Sequence, residues 1–208
     1  MISDYLLLAF LWAAYCTVHS ALISISVTSW LKTVLSSGHR FCRLFFNVFS
    51  IATLIPLVMY SHSARFTTEP LLAWGGYWQI LRYLLVLLGI GLFVAGARHY
   101  SMLQFLGIHQ IRKKSARSAM TGSGDFDDTG VLGFVRHPWY VAVFILLWTR
   151  DLNVRAITVN LILSAYLIVG TLLEEHKLVI EFGEKYRRYQ DRASMFIPLK
   201  WLTARQIH

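Results

Sequence analysis

Five long apolar runs, each nearly free of charge, constrain this chain more than any other feature. They lie at residues 5–27, 44–61, 80–100, 139–149 and 157–173. A helix rises 1.5 Å per residue, so about 20 apolar residues cross the hydrocarbon core of a bilayer. Lipid offers no partner to a free N–H or C=O, so a spanning chain must pair its backbone internally. The fold class that follows is all-α: a polytopic membrane protein with about five transmembrane helices. The composition agrees, with 56% hydrophobic and 15% charged residues, against roughly 25% charged in a soluble domain. A disordered chain, a coiled coil and an ordinary cytosolic enzyme are excluded. Asp4 precedes the first run in place of a basic segment, and no small-residue cleavage site follows, so that run reads as a retained span. Cys16 and Cys42 lie in or beside apolar runs and suggest no disulfide framework.

The net charge is +9, and its distribution sets an orientation. Lys32, Arg40 and Arg43 lie between the first two runs. Arg112, Lys113, Lys114, Arg117 and Arg136 lie between the third and fourth. A further group from Lys177 to Arg205 follows the fifth. The opposite loops hold only Arg65, Arg82, Arg150 and Arg155. The positive-inside rule puts the richer side in the cytoplasm, with the N-terminus outside and the C-terminus inside. Anionic lipid, and not nucleic acid, is the partner this charge suits.

The chain divides at its polar stretch into 1–110, with three spans, and 111–208. The fourth run is too short to cross straight and the fifth is only just long enough, so the two form a short or tilted helical hairpin. Residues 174–190 read as one amphipathic helix, with Leu178, Phe182, Tyr186 and Tyr189 at helical intervals. Pro56 interrupts the second span, where neighbouring helices can satisfy the freed carbonyl. Gly89, Gly91 and Gly96 in the third imply close helix packing.

Chemistry concentrates at the mouth of the hairpin. Arg136-His137-Pro138-Trp139-Tyr140 opens the fourth run, with Pro138 in the first helical turn, where its missing N–H costs nothing. Glu174-Glu175-His176 closes the fifth run on the same side. Two adjacent carboxylates there need cationic partners, and Arg136 and His137 are the candidates. The cluster is either an ion-pair lock that pins the hairpin or a binding site.

The ordered set Gly130, Arg136-His137-Pro138-x-Tyr140, Glu174-Glu175, Phe182-Gly-x-x-Tyr186-x-x-Tyr189 and Phe196-Ile197-Pro198 resembles the C-terminal half of integral-membrane methyltransferases. That group includes isoprenylcysteine carboxyl methyltransferases and phospholipid methyltransferase relatives. Phe105 to Gln110 resembles a segment of the methanethiol S-methyltransferases, which typically carry Arg where His109 stands. His19-Ser20 is similar to the NnrU branch. The chain departs from the isoprenylcysteine type at Gly124-Asp125-Phe126, which lacks a His, and at Leu132, where an aromatic is usual.

The resemblance implies S-adenosylmethionine as cofactor and a small apolar or lipid-like methyl acceptor, a thiol favoured, reaching the site from the bilayer of a bacterial inner membrane. It implies Arg136 and Glu175 as the catalytic pair. His109, Gln110, Gly130, Arg136, His137, Pro138, Tyr140, Glu174, Glu175, Tyr186 and Tyr189 form the cofactor set. Arg136 and His137 would hold an anion, a glutamate would meet the amine or sulfonium, and the tyrosines would wall the adenine. Of the two carboxylates Glu175 is preferred, because adjacent helical residues point about 100° apart. No metal is implied: no His pair has i, i+4 spacing, and Asp125, Asp127 and Asp128 read as a solvated turn. The alternative is an NnrU-type haem-binding or non-enzymatic membrane protein, in which His19 would gain a role beyond a hydrogen bond to Ser20 or Asn47.

Overall fold

The structure is a computed structural model describing residues 2–35, 41–99 and 128–204. Its elements are α1 (Ile2–Leu22), α2 (Ile25–Leu35), α3 (Cys42–Ser61), α4 (Trp78–Ala97), a 3-10 turn (Gly130–Gly133), α5 (Pro138–Trp148), α6 (Val154–Phe182), α7 (Glu184–Arg192) and α8 (Leu199–Ala204). Among the described residues there is no strand, only the isolated bridges Leu72–Leu152 and Val135–Ser194. The protein is an all-α polytopic membrane protein. Helices α1, α3, α4 and α6 are long and apolar enough to span. Helix α5 has 11 residues, about 16 Å of rise, and is the short member that the fourth run foretells.

The described residues form two compact units. The first comprises 2–35, 41–72 and 151–163. Its core is Leu8, Trp12, Leu57, Phe66 and Val159, with Tyr5, Leu54 and Tyr60 packed against it. The Trp12 indole N–H donates to Ser61 Oγ at 3.0 Å, and that hydroxyl donates to Leu57 O at 2.8 Å. A buried indole inside lipid thus finds its acceptor on the neighbouring helix. His19 Nδ1 lies 3.1 Å from Ser50 Oγ on α3. Pro56 sits inside α3 without ending it.

The second unit comprises 73–99, 128–150 and 164–204. Helices α4 and α5 approach closely through glycines, as the third run implies. A Cβ on Gly96 would stand 2.7 Å from Trp139 Cδ1, and one on Gly89 would stand 3.0 Å from Leu146 Cδ2. The Trp139 indole donates to Phe93 O at 2.9 Å, and its ring stacks on the Phe93 ring at 5.5 Å. Trp148 Nε1 donates to Ser164 Oγ at 3.0 Å, closing the hairpin of α5 on α6. Leu84, Leu87 and Leu88 on α4 are exposed, as a lipid-facing helix requires.

Three boundaries differ from the sequence reading. The first span stops at Leu22, and Ser24 caps a separate helix α2 by accepting from Val27 N–H at 3.3 Å. Helix α6 does not end near Leu173 but runs 29 residues to Phe182, because Glu175, just past the apolar run, finds partners inside the protein. The amphipathic segment 174–190 is consequently not one helix. Gly183, at φ +58°, breaks it into the end of α6 and α7; left-handed backbone of this kind favours glycine.

Candidate functional site

Local structure first brings two distant segments side by side. Val135 pairs in parallel with Ser194. Arg136 N–H donates to Ser194 O at 2.8 Å, and His137 N–H to Met195 O at 3.3 Å. Pro138 then starts α5. The backbone that presents Arg136 and His137 is therefore clamped to the segment after α7.

The side chains close the arrangement on α6. Arg136 Nε and Nη2 donate to Glu175 Oε1 and Oε2 at 2.8 and 2.9 Å, a two-pronged pair. His137 Nε2 lies 2.7 Å from Glu175 Oε1 and, facing a carboxylate, carries the hydrogen. Tyr186 OH donates to Glu175 Oε1 at 2.9 Å, and Gln190 Nε2 donates to Oε2. Arg136 Nη1 donates to the carbonyls of Gln190, at 3.1 Å, and Ala193. Arg136, His137 and Glu175 are 6%, 2% and 5% exposed. A buried ion pair is tolerable when its remaining donors and acceptors are also satisfied, as here.

The hydrogen-bond accounting differs between the two adjacent glutamates. Every acceptor site of Glu175 is taken by a protein donor, and four of the five Arg136 N–H groups are engaged. Glu174, one residue earlier, differs: its Oε2 is shielded from solvent and has no hydrogen-bond partner. The His137 ring stands beside it, with Nδ1 3.7 Å from that oxygen. The Tyr186 phenol is pushed up, first by burial and then by the charge of Glu175, so it stays a donor throughout the neutral range.

Of the residues singled out from sequence, Arg136, His137, Glu174, Glu175 and Tyr186 converge here. Tyr189 OH donates to Leu132 O at 2.7 Å and ties α7 to the 3-10 turn. Its ring meets that of Tyr186 edge-on at 5.6 Å. Tyr140 is half-buried, its ring 5.5 Å from that of His137. Pro138 is buried. Gly130 adopts φ +56°, and a Cβ there would stand 2.8 Å from His99 Nε2. His109, Gln110, Asp125 and Asp127 lie outside the described residues.

Sequence reasoning missed Gln190, Ala193 and Ser194, and quoted Phe196-Ile197-Pro198 only as part of the resemblance. Gln190 follows Tyr186 by one helical turn and shares its inward face. Beside the network, a cleft of about 530 Å³ is walled by Arg136, Gln190, Asp191, Ser194, Phe196 and Lys200, among others. Its rim carries both signs of charge. Phe196 links it to the buried imidazole, with ring centroids 6.4 Å apart.

The chain is similar to several proteins named methanethiol S-methyltransferase. It is 34% identical to that of Pseudomonas deceptionensis over 112 residues, 53% of this chain and 42% of the relative. It is 30% identical to methanethiol S-methyltransferase 1 of Bradyrhizobium diazoefficiens over 96 residues, 46% of this chain and 33% of the relative. With the Crocosphaera subtropica protein it shares 38% over 66 residues, 31% and 26% of the two chains. The matched part thus spans less than half the length of each of these relatives. No protein-family model matches the chain, and no solved structure matches it. The similarity supports the methanethiol S-methyltransferase branch of the integral-membrane methyltransferases.

Proposed function

We propose that this protein is an integral-membrane methyltransferase that moves a methyl group from S-adenosylmethionine to a small apolar acceptor, a thiol first. The observation that carries the reading is the unclaimed carboxylate oxygen of Glu174 beside a saturated Arg136–Glu175 frame. Relatives named for methyl transfer to methanethiol support it.

The residues fit such a cofactor. Its amine and sulfonium are cationic and its carboxylate anionic, so its site must offer both signs. Glu174 Oε2, shielded and without a donor, suits the cationic part. Lys200, Ser194 and the outer edge of Arg136, on the cleft wall, suit the anionic part. When bound, the cofactor supplies a methyl group made electrophilic by the attached positive sulfur.

The protein's own contribution is positioning. Arg136 and Glu175 bind each other, and with Tyr186 and Gln190 they fix α5, α6 and α7 as one frame. We therefore assign the direct cofactor contact to Glu174 and make Arg136–Glu175 the pair that holds it in position. Tyr140, Tyr186 and Tyr189 exclude water, with Gly130, His137 and Pro138 forming the floor, and His109 and Gln110 completing the set. Holding donor and acceptor in line is worth up to about 7–11 kcal/mol, and methyl transfer asks little else. The proposed orientation has the N-terminus outside, the C-terminus in the cytoplasm and the acceptor arriving from a bacterial inner membrane.

The test is turnover of purified, detergent-solubilised protein with methyl-labelled S-adenosylmethionine and methanethiol. Labelled dimethyl sulfide should form, and Glu174→Gln should slow it by about ten- to a hundredfold, the worth of one hydrogen bond to a charged group. No labelled product with methanethiol, longer thiols, carboxylic acids or amines would refute the reading.

A further inference from the structure

The first unit holds a second cavity, none of whose lining residues belongs to the cofactor set. It measures about 500 Å³ and opens between α1 and α3, within the ~300–1,000 Å³ range of small-molecule sites. Leu11, Ala14, Val18, Phe49 and Leu57 supply carbon walls, and Pro56 and Tyr60 stand on the α3 side. The polar groups on its wall are grouped around Ser50. His19 Nδ1 lies 3.1 Å from Ser50 Oγ, and Tyr15 OH donates to Ser50 O at 3.4 Å. Thr53 Oγ1 donates to Phe49 O and Ser50 O at 2.8 and 3.2 Å.

The surroundings and the lining select an occupant. Both helices are membrane spans, so the medium that meets the opening is lipid. An imidazole inside a span is costly to keep and marks function by default. Among the described residues no Lys, Arg, Asp or Glu lines the cavity, so against these walls the charged headgroup of a phospholipid or a fatty-acid anion would lose its hydration and gain no ion pair. A neutral head that exchanges one hydrogen bond suits the His19–Ser50 group.

We propose that this cavity binds a neutral, single-headed, single-chain amphiphile, such as a long-chain alcohol or carbonyl compound. Its chain lies along Leu11, Val18, Phe49 and Leu57, and its head joins the His19–Ser50 hydrogen bond. The site belongs to the first unit alone and does not depend on the methyltransferase reading.

The test uses the full chain in nanodiscs of uncharged lipid, with hexadecanol carrying a mid-chain diazirine as the probe. After illumination, adducts should map to residues 2–22 and 42–61. Unlabelled hexadecanol should compete them away, and palmitate at pH 8 should not. Ala14→Trp fills the cavity and should abolish the competable labelling. His19→Phe keeps the ring's bulk and should weaken competition about two- to tenfold, the worth of one net hydrogen bond; it decides the matter if Ala14→Trp does not fold. Labelling spread over all spans and indifferent to competitor would show bulk lipid only and overturn the proposal. So would competition by palmitate equal to that by hexadecanol, or unchanged competition in His19→Phe.

Discussion

Replacing Glu175 by Gln keeps the side chain's shape and removes its charge, so the consequence can be worked from the network. Glu175 Oε1 accepts from Arg136 Nε, His137 Nε2 and Tyr186 OH, while Oε2 accepts from Arg136 Nη2 and Gln190 Nε2. An amide has one oxygen. With the oxygen at the Oε1 position, its NH₂ faces two donors; turned over, it faces three. Arg136, 6% exposed, is left charged and uncompensated in either orientation. Breaking one side of such a buried pair costs about 3–5 kcal/mol, and the several hydrogen bonds lost are part of that figure and not additions to it. For a chain of this size each kcal/mol moves the melting temperature by about 2–4 °C, giving a fall of roughly 6–20 °C. Glu174→Gln is the control. Its Oε2 accepts no hydrogen bond, so its melting temperature should move by no more than about 2 °C. The assay is thermal unfolding of both detergent-solubilised variants, followed by a thiol-reactive dye or by loss of the monodisperse peak. Equal melting temperatures for parent and Glu175→Gln would refute the claim that this network holds the second unit together.

Gly130→Ala forces a side chain into backbone at φ +56° and brings Cβ to 2.8 Å from His99 Nε2. It should cost about 1–3 kcal/mol, and adding His99→Ala should relieve the clash but not the strain, as read by the same melting assay. Tyr186 has its phenol pushed up by burial and by Glu175, so the folded chain keeps a proton that the unfolded chain releases near pH 10. That stability is intact below pH 10 and falls as pH rises beyond it. Tyr186→Phe should melt lower at pH 8 yet decline less steeply above about pH 10. In a background with Cys16 and Cys42 replaced by Ser, Thr67→Cys should react with an impermeant thiol reagent on intact cells and Arg187→Cys should not; the reverse pattern would invert the proposed orientation.

The spans were legible because hydropathy alone sets them. Their ends were not, because a polar residue ends an apolar run without ending a helix. Glu174 and Glu175 mark the limit of hydropathy in α6, but the backbone continues because Arg136, His137, Tyr186 and Gln190 satisfy Glu175 from other elements. The actual break is at Gly183, where a left-handed residue is needed. Helix α2 was hidden by its Ser, Thr and Val residues, which are weak helix formers. Pairing of Arg136 with a glutamate followed from where the hairpin ends meet. The choice of Glu175 over Glu174 as the buried partner needed the helix phase. Gln190 was readable in principle, one turn from Tyr186. The approach of His99 to Gly130 joins residues whose proximity no local pattern encodes.

The central claim is that the mouth of the hairpin binds S-adenosylmethionine through Glu174 on a frame held by Arg136 and Glu175. The most direct measurement is calorimetric titration of the purified, detergent-solubilised parent and Glu174→Gln proteins with S-adenosylhomocysteine and with S-adenosylmethionine. The account predicts one saturable site in the parent. It predicts that Glu174→Gln, still folded, loses affinity for both ligands, more for S-adenosylmethionine because only that ligand carries the sulfonium charge. A folded parent that gives no saturable heat with either ligand would contradict it, as would a Glu174→Gln variant that binds both like the parent.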